Sequence, residues 1–88
     1  MRIPRQFQLG GTTWEVVQSV PIPNAMGACF TSDAQILIQK DLKKQSKEQT
    51  FCHEIVHAIL FAMGKTTHDE EFVDGFGTLL HQYLNSAK

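Results

Sequence analysis

His53, Glu54 and His57 are the residues of this chain best placed to do chemistry together, in the run His53-Glu54-Ile55-Val56-His57. On a helix the two imidazoles stand at i and i+4, one turn apart on one face, and both reach a single ion. The glutamate that follows the first histidine lies beside that face, where a carboxylate can take a proton from a water held by the ion. The flanks are apolar, Phe51-Cys52 before and Ala58-Ile59-Leu60-Phe61-Ala62-Met63 after. Histidine and glutamate are seldom set in a buried helix unless paired or bound to metal. The run therefore points to a zinc ion, against the plainer reading of two surface histidines next to a glutamate.

Catalytic zinc usually takes three protein ligands and leaves a fourth position for water, so the following segment must supply a donor. The candidates there are His68, Asp69, Glu70, Glu71, Asp74 and His81. At about 100° per residue, Glu70 and Asp74 share a stripe with Gly77 and His81 beside the apolar face, while Glu71 points toward solvent. Glu70 is the expected ligand. Two alternatives stay open: Glu70 as the partner of Thr67 in a capping box, and Glu71 or Asp69 as the true ligand. Asp74 is expected to orient a ligand histidine through its free ring nitrogen. Gly77 lets two helices approach. His81 falls roughly 16 Å further along the helix from Glu70, too far to join the site.

These residues need elements to hold them. Phe7-Gln8-Leu9, the turn signal Gly10-Gly11 and Thr12-Thr13-Trp14-Glu15-Val16-Val17 read as a β-hairpin. Pro21-Ile22-Pro23-Asn24 reads as a loop. Ala28-Cys29-Phe30 and Ile36-Leu37-Ile38 read as two further strands about the turn Thr31-Ser32-Asp33. Ser46 with Gln49 suggests an N-cap for a helix from about Lys47 to Met63, stopped by Gly64. A second helix should run from about His68 to Leu84, with Phe72, Val73, Phe76, Leu79, Leu80, Tyr83 and Leu84 as its apolar positions and Tyr83 in the core. The expected fold is α+β: one domain over residues 1–88, with a small, mainly antiparallel sheet of three or four strands followed by two packed helices.

Composition narrows the function. Eighty-eight residues form at most one domain. The net charge of −1 argues against nucleic acid as a partner, and the run Lys40, Lys43, Lys44, Lys47 reads as a solvated surface. No segment approaches the ~20 apolar residues needed to span a bilayer, and the first residues carry no apolar leader, so no membrane association and a cytoplasmic location are expected. Cys29 and Cys52 then read as reduced core residues. Cys52, about 100° from His53 on the helix, cannot share an ion with both histidines.

The chain resembles the gluzincin branch of the zincin metallopeptidases, in which His-Glu-x-x-His on one helix is completed by a glutamate on a following helix. Here His53-Glu54-Ile55-Val56-His57 and Glu70-Glu71-Phe72-Val73-Asp74 match that pattern. The stretch Thr50 to Leu60 looks like small zinc peptidases encoded by phages and prophages, related in outline to the ImmA/IrrE family. In that family a Glu-x-x-x-Asn is followed by Phe-Ala, and Glu70, Asp74, Phe76 and Gly77 occupy those places. The likeness covers about residues 27–84, and the interval from His57 to Glu70 is short. It implies a minimal zincin-like domain, Zn²⁺ held by His53, His57 and Glu70, Glu54 as general base, and a protein or peptide substrate, such as a host or phage regulatory protein. It also implies an extended substrate along a sheet edge, with Ala28–Phe30 or Ile36–Ile38 as that edge. His68, in the loop between the helices, is the candidate oxyanion stabiliser. The rival reading is a zinc-binding or metal-free protein-interaction module without activity.

Overall fold

The computed structural model describes all 88 residues. Strands β1 (Gln6–Leu9) and β2 (Thr12–Val20) form the expected hairpin. Gly10 and Gly11 take φ of 56° and 81° at its tip, the paired left-handed conformations that a two-residue hairpin turn of matching twist requires. Phe7 and Trp14, directly opposite one another, stack with centroids 6.0 Å apart, and Phe7 meets Phe51 edge-on.

Strands β3 (Gly27–Phe30) and β4 (Gln35–Gln39) form a second antiparallel pair. β4 then slots between β2 and β3 and runs parallel to β2, giving the order β1-β2-β4-β3. The sheet is therefore mixed, with two antiparallel pairings and one parallel. Ile36 and Ile38 explain the order: alternate residues of β4 point to one face and both are fully buried, which favours a central strand. β4 is paired on both sides and offers no edge, so of the two edges expected from the sequence only β3 is free. The Gln39 side chain closes the loop before β3. Its Oε1 accepts from Ile22 N–H at 3.1 Å and its Nε2 donates to the Ala25 carbonyl at 2.9 Å.

Helix α1 spans Lys44–Ala62 and packs on β3 and β4. It starts before the expected Lys47, and Ser46 does not cap it. Lys43 stands at the N-cap in extended conformation with no side-chain cap. The extra turn puts Lys44 one turn before Glu48, which it meets at 2.6 Å, and buries Glu48 to 3% exposure where His81 Nε2 donates to it at 3.1 Å. The early start brings Lys44 onto the buried Glu48 carboxylate, a pair that a helix capped at Ser46 would lack. At the other end Gly64 has φ 87°, Lys65 N–H bonds to the Leu60 carbonyl and Gly64 N–H to that of Phe61, a Schellman stop at the expected glycine.

Helix α2 spans Glu70–Ser86, starting two residues later than expected. Asp69 caps it, its Oδ1 accepting from Glu71 N–H at 3.1 Å. The helix runs antiparallel to α1, with Gly77 against the backbone of His53, where an added Cβ would lie 3.0 Å from His53 Cα. The expected core face of α2 is only partly realised. Val73, Gly77 and His81 are buried, but Phe72, Phe76, Leu79 and Tyr83 are exposed, so Tyr83 is not a core residue. No helix is long and apolar enough to cross a membrane.

Candidate metal centre

The central helix presents His53 and His57 on one face, ring centroids 5.1 Å apart. Glu70, in the first turn of α2, reaches across the interhelical loop toward them. Its Oε1 lies 3.2 Å from His57 Nε2 and 4.0 Å from His53 Nε2. One donor atom from each of the three side chains falls within 4.8 Å of the others. Four ligands around an ion at ~2.0–2.1 Å are about 3.3 Å apart, so small side-chain adjustments bring all three onto one centre.

Two flanking hydrogen bonds decide which atoms face the centre. Asp74 Oδ1 lies 2.9 Å from His53 Nδ1, so that nitrogen donates and His53 Nε2 is left bare. On the other side His68 Nε2 lies 2.8 Å from the Lys65 carbonyl oxygen. A carbonyl only accepts, so this nitrogen carries the proton and a neutral His68 presents a lone pair at Nδ1. His57 Nδ1, 2.7 Å away, must donate to it, and its Nε2 is bare as well. Two imidazole lone pairs and a carboxylate oxygen thus converge with no proton among them, an arrangement that a cation relieves. Burial lowers the pKa of His57 from its ordinary value. His53 and His68 push in the same direction, while Glu70 opposes them.

Both nitrogens of His68 are spent on Lys65 and His57, so neither is free to donate to an oxyanion. Asp69 is committed to the helix cap, and Glu70 is the carboxylate whose oxygen lies beside both histidines. His81 sits at the far end of the hairpin on Glu48.

Glu54 is 7% exposed and forms part of the wall of two clefts. The larger, about 420 Å³, is lined by Met26, Gly27, Ser46, Gln49, Thr50, His53, Glu54, Asp74 and Thr78. The smaller, about 190 Å³, lies beside Cys29, Thr31, His57 and His68. Burial raises the Glu54 pKa to about 7, with His53 opposing and Glu70 adding to the rise. Gly27 brings β3 close to this carboxylate: a Cβ there would stand 3.2 Å from Glu54 Oε2 and 2.5 Å from the Thr50 methyl. Burial, with the Glu54 charge, pushes the Cys29 thiol up to about 12, and burial pushes Cys52 up to about 11. Both stay protonated and free, unsuited as ligands or nucleophiles.

No protein-family model, curated protein or solved structure matches the chain.

Sequence reasoning missed two parts of this arrangement. The Lys65–His68–His57 relay depends on how the seven-residue loop between the helices folds back, which no periodicity encodes. The polar cleft at Ser46, Gln49 and Thr78 forms where the first turns of α1 meet α2, with Gln49 Nε2 donating to Thr78 Oγ1 at 3.3 Å. The polar face of α1 one turn before His53 was the available signal.

Proposed function

We propose that the chain is a zinc-dependent endopeptidase acting on protein or peptide substrates. The observation that carries this reading is the convergence of bare His53 Nε2, His57 Nε2 and a Glu70 oxygen on one point, with the Glu54 carboxylate set in the adjoining cleft wall. Two histidines and one carboxylate suit zinc, and three protein ligands are the number that a catalytic zinc takes. When bound, zinc acts as a Lewis acid and lowers the pKa of water toward ~7.

The remaining work falls to the chain itself. Asp74 and His68 hold the two imidazoles in the ligating tautomer and orientation. Glu54, buried and without a cation clamped to it, takes the proton from the attacking water and returns it to the leaving amine. The free edge of β3 offers main-chain hydrogen bonds to an extended peptide. Gly27, lacking a side chain, leaves that edge close to the base.

Glu54→Gln tests the assignment. The variant should keep one zinc per chain by elemental analysis and the same circular dichroism, and lose hydrolysis of a peptide library by about 100-fold or more, as expected for removing a general base. Turnover equal to the parent's would exclude Glu54 as the base. Bound zinc with no hydrolysis by either protein would favour a non-catalytic zinc module.

A further inference from the structure

Helix α2 has two apolar faces, and only one is used. Val73 and Gly77 are buried. Phe72 and Phe76 are 50% exposed, Leu79 and Tyr83 65%. At about 100° per residue these four fall within a strip some 60° wide, about 180° around the helix from Glu70 and Asp74. The strip runs without interruption for three turns, and the Phe72 and Phe76 rings touch, with centroids 5.7 Å apart. An unbroken row of large apolar side chains on a small domain marks an interaction surface.

We infer that this strip is the interface of a two-fold symmetric dimer in which the α2 helices of two copies pack antiparallel. Three features select a second copy as the occupant. First, the strip is self-complementary. A two-fold axis between positions 77 and 78 sets Phe72 against the partner's Tyr83 and Phe76 against the partner's Leu79, as an isologous contact demands. Second, the flanks of the strip are Gly75, Gln82, Ser86 and Leu80. The nearest charges, Asp69 and Glu71, lie at the helix start, and the antiparallel register sets them against the uncharged far end of the other copy's helix rather than against themselves. Third, the area suffices. Half of each aromatic side chain's 150–250 Å² is about 100 Å². Three such aromatics and Leu79 on each copy give about 800 Å², and the flanking atoms they cover bring the total to about 1,000 Å², the threshold for a weak specific interface. The metal centre stays open on the opposite side, so the dimer is independent of the zinc proposal.

Sedimentation equilibrium on the 88-residue chain, with and without chelator, tests this. The inference expects a dimer with a dissociation constant on the order of 1–100 μM. Phe76→Lys alone and Leu79→Glu alone should each be monomeric with unchanged helix content. Mixed in equal amounts, they should dimerise again, because the ammonium introduced in one copy then faces the carboxylate introduced in the other. As a second readout, an equimolar mixture of Phe72→Cys and Tyr83→Cys should form a mixed disulfide faster than either variant forms its own. A monomer throughout the concentration range overturns the inference, as does a dimer that survives both single substitutions. No recovery in the mixture of the two charged variants, or no preference for the mixed disulfide, overturns the antiparallel register.

Discussion

At the scale of the residue, the site depends on orientation as much as on the identity of its donors. A hydrogen bond to one ring nitrogen fixes which tautomer the other presents to a metal, and here Asp74 and His68 engage the two Nδ1 atoms. Removing such a partner typically weakens metal binding about 10–100-fold. Asp74→Ala and His68→Ala should each lower zinc affinity by that amount in a chelator-competition titration, without loss of fold, since both side chains lie at the surface of the hairpin. Loss of less than about threefold, well short of that range, would mean that the rings are held by packing alone. His53, Glu54, His57, Glu70 and Asp74 were legible in the sequence because a helix converts spacing into direction. His68 was legible only as a nearby histidine, since its partner is a loop carbonyl.

At the scale of the element, the helical hairpin sets the distance between the two candidate ligands on α1 and the one on α2. Gly77 is where the helices touch, with His53 Cα and N at 3.0 and 3.2 Å from a built Cβ. The obstacle is backbone, which cannot rotate away. Gly77→Ala should therefore part the helices, costing about 1–3 kcal/mol in urea denaturation and weakening zinc binding together with stability. A gain in stability from the better helix former would contradict the close-packing account. The far end of the hairpin is tied by Glu48. Hydrogen bonds from Lys44 and then His81 hold its pKa at about 2, against an ordinary 4.5. Its contribution to stability is full above pH 4.5 and is lost as the pH falls toward 2. Thermal unfolding should show Glu48→Gln less stable than the parent at neutral pH, with the two converging at low pH. A constant difference across that range would exclude the linkage. Neither helix start was legible to the residue: Ser46 looked like a cap, but the helix begins early enough to bring Lys44 onto Glu48.

At the scale of the whole molecule, alternation and turn chemistry foretold three or four strands and two helices, but not the strand order. The hairpin at Gly10-Gly11 was local and readable. The parallel pairing of β2 with β4 joins strands separated by another strand, and is decided by which strand can be buried on its helix face. The apolar pattern of α2 foretold a helix, yet it overstated the core, because one helix neighbour cannot cover an arc as wide as that from Val73 round to Leu79. The exposed remainder is the basis for the proposed dimer.

The central claim is that His53, His57 and Glu70 jointly hold one metal ion. A crystal grown with zinc, with anomalous data collected on both sides of the zinc absorption edge, addresses it most directly. The account predicts one peak between the helices, bonded to both Nε2 atoms and a Glu70 oxygen at about 2.0–2.2 Å, with water at the remaining position facing the cleft beside Glu54. Imidazoles turned away from a common centre, or a fourth ligand supplied by Asp74 or His68, would contradict it.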